Sequence, residues 1–280
     1  MPETSSADLV SVETIELDHA VAYLKHVASL AHCYHGLLTR LDTVLGDGDH
    51  GDNFVAGFDA VQALLHEASR ESMGEFLSSV GRILASSLGG ASGSLYGSAF
   101  MAAGLAVGDG PVINGADLGR ILDAGASAIA RRGHCEVGDK TMYDTLRPAA
   151  DAFVNSIGQG TSTVEAARTA VLAGRAGMAS TRRMIARRGL ALRLGPRSVG
   201  HVDPGAVSAF LLLAALMPPG TRTGLRRLPP AIGSDPSQTT GGGPAAGGRP
   251  QARGGPPAGG GPTGGGRPPG GGGPTNGGGR

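Results

Sequence analysis

The stretch LDTVLGDGDHGDNFVAGF occupies residues 41–58. It places Asp42, Asp47, Asp49 and Asp52 within eleven positions, punctuated by glycines, with one histidine and no basic residue. A helix running through Leu45 and ended by Gly46 would turn the chain here, so that the Asp42 carboxylate meets those of Asp47 and Asp49. Three carboxylates held together repel one another, and a hard divalent cation relieves that repulsion by taking oxygen ligands. Magnesium suits a site of few carboxylates with positions left open for phosphate oxygens. Two plainer readings stand beside it: acidic residues solvated in a loop, or Asp-Gly pairs serving turn chemistry alone. A calcium EF-hand is excluded, because Phe58 stands at the twelfth position, where a bidentate Glu is required.

Outward from this stretch the chain reads as helix after helix, rich in Ala and Leu, with little alternation and no Trp. The expected class is all-α. Candidate helices cover 12–38, 53–69, 73–88, 93–107, 116–132, 139–157, 162–188 and 203–217. Asn114 or Asp117 would open the fifth, and Thr161 or Thr163 the seventh. Asp203 followed by Pro204 would open the last, an N-cap and a proline at the first helical position. Pro148 should kink the sixth.

Composition sets a boundary near residue 218. From 219 to 280 the chain is mostly Gly, Pro, Ala, Thr and Arg without apolar periodicity. Such a segment buries too little surface to offset the entropy of ordering it, so a disordered C-terminal tail is expected over 219–280 and one domain over 1–218. The tail holds seven Arg and one Asp; the whole chain is +1, so the body is about −5. That sign argues against the body as a nucleic-acid binder; the tail's arginines could touch RNA or acidic surfaces, though such a tail is more often an unstructured extension. Cys33 and Cys135 stand in no metal-ligand spacing and fit reduced thiols. The polar, acidic N-terminus shows no signal-peptide pattern, and the apolar run AVSAFLLLAALM (206–217) is too short to span a bilayer. A cytoplasmic protein without membrane contact is expected.

Four glycine-rich loops carry the remaining chemistry: GDGDHGDN (46–53), LGGASGSLYG (88–97), RRGHCEVGDKTM (131–142) and RRGLALRLGPRSVGHVDPG (187–205). GGASG (89–93) is a small-residue turn at a helix start, where amides and the helix dipole suit phosphate; small residues also permit close helix packing. Arg197 is a candidate phosphate or partner contact, or a surface arginine. Lys140 is one of only two lysines. Together these loops suggest a magnesium–nucleotide site at one rim of a helical domain.

The motifs LDTVLGDGDHGDN, GGASGSLYG, GHCEVGDKTMYDTLRPAADAF and GRAGMASTRRMIARRG…LGPRSVGHVDPGA stand in the order and spacing of a known family. The chain resembles the L-type, DhaL-like nucleotide-binding subunit of dihydroxyacetone kinases over residues 10–217. The resemblance implies a barrel of eight antiparallel helices with ADP or ATP bound at one end. It implies that Asp42, Asp47 and Asp49 hold two magnesium ions bridging the phosphates. It further implies that His50, Gly51, Asp52 and Asn53, then Ala91 and Ser92, line the phosphates. Gly133, Met142, Arg197, Asp203, Pro204 and Gly205 would complete the nucleotide pocket. Departures from the family pattern are Phe54-Val55-Ala56 for a usual Met-x-Arg, Pro196 for a usual Glu, Tyr34-His35 for usual acids, and the extra acid Asp52.

By that resemblance the chain is the phosphoryl-transfer subunit of a two-part dihydroxyacetone (glycerone) kinase. A separate K-type subunit would hold the ketose. The donor would be ATP, or a phosphotransferase-system protein that recharges bound ADP. Kinases of another small ketose such as erythrulose, and a non-catalytic ADP-binding regulatory subunit, are the alternatives. Of the eight histidines, His50 and His201 belong to the nucleotide loops and His19, His26, His32 and His35 to the first helix; His66 and His134 remain, with no sugar-binding constellation around them.

Overall fold

The structure is a computed structural model and describes residues 14–67 and 72–218. The Gly/Pro-rich tail expected over 219–280 lies outside them. The chain is all-α. Among the described residues the eight α-helices are α1 (Leu17–Leu45), α2 (His50–Glu67), α3 (Met73–Ser87), α4 (Gly90–Val107), α5 (Gly115–Gly133), α6 (Tyr143–Gly158), α7 (Thr163–Ser180) and α8 (Pro204–Ala214). Each packs on the next in the chain, and α8 also packs on α1, which closes the ring. The ring surrounds an apolar cavity of about 140 Å³ lined by residues such as Tyr23, Leu77, Tyr96, Phe100 and Leu212. Among the described residues, no helix is long and apolar enough to cross a membrane.

Periodicity explains the helices, and tertiary contacts set several of their ends. On α3, Met73, Phe76, Leu77, Val80 and Leu84 are buried at helical spacing, and Ser72 caps the start by accepting from the Glu75 N–H. Helices α3 and α4 meet through glycine: a Cβ on Gly81 would lie 2.7 Å from the Gly97 carbonyl oxygen. The apolar run after Asp203 forms α8, whose residues from Ala206 to Ala214 are all buried, so it is the inner wall of the ring rather than an amphipathic surface helix.

Four expectations are corrected. Residues 14–16, expected inside the first helix, form a short strand, β1 (Thr14–Glu16), that pairs antiparallel with β2 (Val112–Asn114), Ile15 opposite Ile113. The first helix then runs on to Leu45 rather than 38. The cap of α7 is Ser162, which accepts from the Glu165 N–H, rather than Thr161 or Thr163. The seventh helix ends at Ser180 rather than 188. There its carbonyls find tertiary partners: the Thr181 oxygen accepts from Lys140 Nζ and the Arg182 oxygen from the Gly200 N–H, so continued helix would compete with bonds already made.

Pro148 lies inside α6, which continues as one helix through it. The proline deprives the Asp144 carbonyl of its helical donor. That carbonyl faces the Cα of Gly177 on α7, so closely that a Cβ there would lie 2.0 Å from it. A Cα–H···O contact of this kind partly compensates the missing bond.

Candidate functional site

The end of α1 and the start of α2 form the acidic corner. Gly46 turns the chain sharply, its N–H donating to the Asp42 carbonyl at 2.6 Å. The Asp42 side chain is nearly buried and accepts from the N–H groups of Gly48 at 2.9 Å and His50 at 3.1 Å. Asp42, Asp47 and Asp49 each bring an oxygen within 4.8 Å of the others. Burial raises the Asp42 pKa; the two N–H groups oppose this, and the neighbouring Asp47 and Asp49 charges add to it. Among the described residues, no Lys, Arg or His forms an ion pair with any of the three. Three convergent carboxylates with no protein cation are a donor set suited to a hard divalent ion.

These aspartates open onto a cleft of about 330 Å³. Its opposite wall is the start of α4. Gly89, the N-cap residue, offers no side-chain cap, so the amides of Gly90, Ala91 and Ser92 keep their donors for something in the cleft. Gly89 has no room for a side chain: a Cβ there would lie 2.3 Å from Asn53 Oδ1.

Beneath the cleft, His50 is buried. Its Nε2 lies 2.8 Å from Ser208 Oγ and its Nδ1 lies 3.3 Å from Ser92 Oγ. Ser208 Oγ donates to the Gly205 carbonyl at 3.0 Å and lies 2.8 Å from the Tyr96 hydroxyl. One arrangement satisfies every group. His50 Nε2–H and the Tyr96 O–H donate to Ser208, and the Ser92 O–H donates to the His50 Nδ1 lone pair. Burial pushes the His50 pKa down to about 4, so the ring is the neutral form this arrangement needs.

The third wall comes from the loop before α6 and the start of α8. Asp144 accepts from the N–H groups of Gly138 at 2.6 Å and Thr141 at 2.7 Å, which shapes the 138–141 turn. Burial favours a raised pKa at Asp139, but the Glu136 N–H and the Arg188 guanidinium together hold its carboxyl below the ordinary value. Asp203 caps α8, accepting from the Ala206 N–H at 2.7 Å. Burial pushes its carboxyl up to about 7, against that N–H and the Lys140 ammonium.

Of the residues expected from sequence, Asp42, Asp47, Asp49, His50, Asn53, Ala91, Ser92, Gly133, Met142, Asp203, Pro204 and Gly205 all line this one cleft. Gly51, Asp52 and Arg197 do not. Gly51 faces α1, where a Cβ would lie 2.6 Å from the His35 carbonyl oxygen. Asp52 lies on the outer face of α2, 2.6 Å from His35 Nε2. Both sit where the helical turn of α2 directs them, toward α1 rather than the cleft. Gly195, at φ 52°, breaks the 3-10 segment Leu190–Ser198 before Pro196, and Arg197 beyond it is exposed. The cleft's cationic side chains are instead Arg132, Lys140 and Arg188. The rarity of lysine had singled out Lys140; Arg132 and Arg188 lie in two of the glycine-rich loops, but nothing in the sequence separates them from their neighbours Arg131 and Arg187.

A sequence model of the DAK2 domain matches residues 44–218. The chain is 38% identical over 196 residues to the ADP-binding subunit DhaL of PEP-dependent dihydroxyacetone kinase 2 of Listeria innocua, covering 69% of this chain and 90% of that protein. It is 37% identical over 179 residues to the ADP-binding subunit DhaL of the Escherichia coli PEP-dependent dihydroxyacetone kinase, covering 64% of this chain and 85% of that one. The L-erythrulose 1-kinase of Mycolicibacterium smegmatis is 38% identical over 186 residues, with 64% of this chain and 31% of that protein covered. In structure, the chain resembles the C. freundii dihydroxyacetone kinase in complex with AMP-PNP and Mg2+. The TM-score is 0.56 at 26% identity, over 70% of this chain and 33% of that one.

Proposed function

The chain belongs to the DAK2 domain family, and on that premise we propose that it is the magnesium- and nucleotide-binding, phosphoryl-transferring subunit of a two-part dihydroxyacetone kinase. Its partner on this reading is a K-type subunit that carries the ketose. The observation that carries the reading is one cleft in which three unpaired carboxylates face an uncapped helix start. Asp42, Asp47 and Asp49 would hold magnesium, which on binding supplies charge neutralisation at the phosphates. The first-turn amides of α4 donate to phosphate oxygens, and Gly89 keeps that approach open. The N–H groups of Gly48 and His50 orient Asp42, and the His50–Ser208–Tyr96 network holds Ser92 in place beside those amides. Gly133, Met142 and Asp203–Gly205 would enclose the rest of the nucleotide.

Relatives described as ADP-binding subunits of PEP- or PTS-dependent kinases support ADP as the resident nucleotide, recharged by a phosphotransferase-system protein. ATP as a turnover substrate is the other donor. Erythrulose remains the alternative acceptor, the chain being equally similar, at 38% identity, to the L-erythrulose kinase. No sugar-binding constellation lines the cleft beyond the nucleotide and metal groups, so the choice of sugar falls to the partner. The working compartment on this reading is the cytoplasm.

The test is phosphoryl transfer to dihydroxyacetone by the purified chain with magnesium, with and without a K-type subunit, from ATP and from a PEP-charged phosphotransferase-system protein. Transfer should require the K-type subunit. Efficient transfer by the chain alone, or none from either donor with the partner present, would overturn the reading.

A further inference from the structure

The segment 181–200 forms one wall of the cleft and presents a surface that the nucleotide does not explain. It closes on itself. The Gly200 N–H donates to the Arg182 carbonyl at 2.8 Å, and Arg182 Nε donates to the Gly200 carbonyl at 3.0 Å. Ser198 Oγ accepts from the Ala186 N–H at 2.8 Å and donates to the Gly195 carbonyl at 2.7 Å. Its inner side is pinned, with Ala186, Ala191 and Leu194 packed on Leu45 at the end of α1, and Arg188 paired with Asp139 at 2.9 Å. It is therefore a compact, ordered loop rather than a loose one.

Its outer side has an unusual composition. Six arginines fall within these twenty residues, and no Asp or Glu occurs anywhere from 166 to 202. Arg183, Arg187, Arg193 and Arg197 are exposed and form no close ion pair with a described residue, although Arg187 lies near enough to Asp139 to help hold its carboxyl down. Among them stand Ile185 at 47% exposure, Leu192 at 54% and Val199 at 42%. The Ser198–Ala186 bond brings the flanking Val199 and Ile185 to neighbouring places on the loop. Leu190 and Arg188 carry the same surface to the mouth of the cleft.

Exposed aliphatic groups among unpaired arginines, with acidic residues absent, are the composition of an interface and not of a solvated rim. Nucleotide phosphates would account for Arg188 at the mouth but not for the aliphatic residues outside it. We propose that the 181–200 loop is the docking surface for the acceptor-carrying subunit, whose complementary face is acidic with an apolar centre. The proposal rests on the two-part kinase reading. The acceptor has to be delivered at this mouth, and a basic collar around an apolar patch steers an acidic partner to it and fixes its orientation.

The test uses Arg183→Glu, Arg187→Glu, Arg193→Glu and, separately, Leu192→Ser, none of which lines the cleft. Association with a purified K-type subunit is measured at two salt concentrations, with nucleotide affinity measured in parallel by calorimetry. Each substitution should weaken partner association by about tenfold or more. The charge reversals should also flatten its salt dependence, while nucleotide affinity stays within about twofold. Wild-type-like partner affinity in all four variants overturns the docking surface and leaves the two-part reading standing. Loss of nucleotide affinity in step with partner affinity assigns the collar to the nucleotide and overturns it as well. If the wild-type chain neither binds nor works with a K-type subunit, the kinase reading itself falls and takes the docking surface with it.

Discussion

The Lys140 ammonium donates to the carbonyl oxygen of Thr181 at 2.5 Å, tying the turn before α6 to the end of α7. The same ammonium donates to the His201 carbonyl in the approach to α8. Lys140 is 1% exposed and sits at φ 64°, a conformation that costs a non-glycine residue of order 1–3 kcal/mol. Burial lowers its pKa, while the Asp203 and Asp144 carboxylates work to raise it. One side chain thus fastens together three segments that wall the cleft, and places a cation near the buried Asp144 and the half-buried Asp203 carboxylates.

Replacing it, as Lys140→Met, should destabilise the domain by about 3–5 kcal/mol, because the Thr181 and His201 carbonyls lose their donor and the Asp144 and Asp203 carboxylates keep only their backbone N–H partners without a nearby cation. For a domain of this size that is a fall in melting temperature of roughly 10 °C or more. A calorimetric melt indistinguishable from wild type would show that the ammonium is not the clasp.

Loss of Asp49 should act on ligand binding rather than on the fold. With magnesium present, Asp49→Ala or Asp47→Ala should lose nucleotide affinity by at least the ten- to hundredfold of a missing outer-shell partner, roughly. Chelating the metal from the wild type should have a similar effect. Titration calorimetry with ADP decides this, and an unchanged affinity in either variant would remove the aspartates from the metal site.

Two glycines should respond oppositely to alanine. At Gly177 the new Cβ would lie 2.0 Å from the Asp144 carbonyl, so Gly177→Ala should cost about 1–3 kcal/mol despite alanine's better helix propensity. Gly158, the last residue of α6, has nothing within 4 Å of the added atom, so Gly158→Ala should be neutral or stabilise by up to about 1 kcal/mol. Denaturant midpoints for the pair check both signs.

Asp203 carries a pH signature. Its carboxyl is raised to about 7 by burial, above the ordinary value of about 3.9. Between these values the folded chain holds a proton that the unfolded chain has released, so this group's contribution to stability declines as pH rises from about 4 to about 7. Asp203→Asn keeps a capping oxygen and removes the titration. The variant's melting temperature relative to wild type should therefore climb across that window, in metal-free protein. A constant difference would contradict the shift.

The sequence by itself determined the class of the fold and most of the composition of the site. Helical spacing such as that of Met73, Phe76, Leu77, Val80 and Leu84 is a local pattern, and so is the Asp203-Pro204 start of α8. The turn at Gly46 that gathers Asp42, Asp47 and Asp49 spans only a few residues and needs no distant partner, which made it legible. Tertiary structure decided what depends on long-range partners. Gly51 and Asp52 share the motif of His50 and Asn53, yet the direction in which α2 leaves the acidic corner turns them to α1. Lys140 and Gly200 take the Thr181 and Arg182 carbonyls just past Ser180, where the seventh helix stops, and Gly177 packs over the oxygen that Pro148 frees in α6. Arg132 reaches the cleft from the last turn of α5 and Arg188 through its pairing with Asp139, whereas Arg197 lies beyond the break at Gly195. Local periodicity is written in neighbouring residues, whereas the capture of a buried polar group by a partner dozens of positions away exists only once the ring has closed.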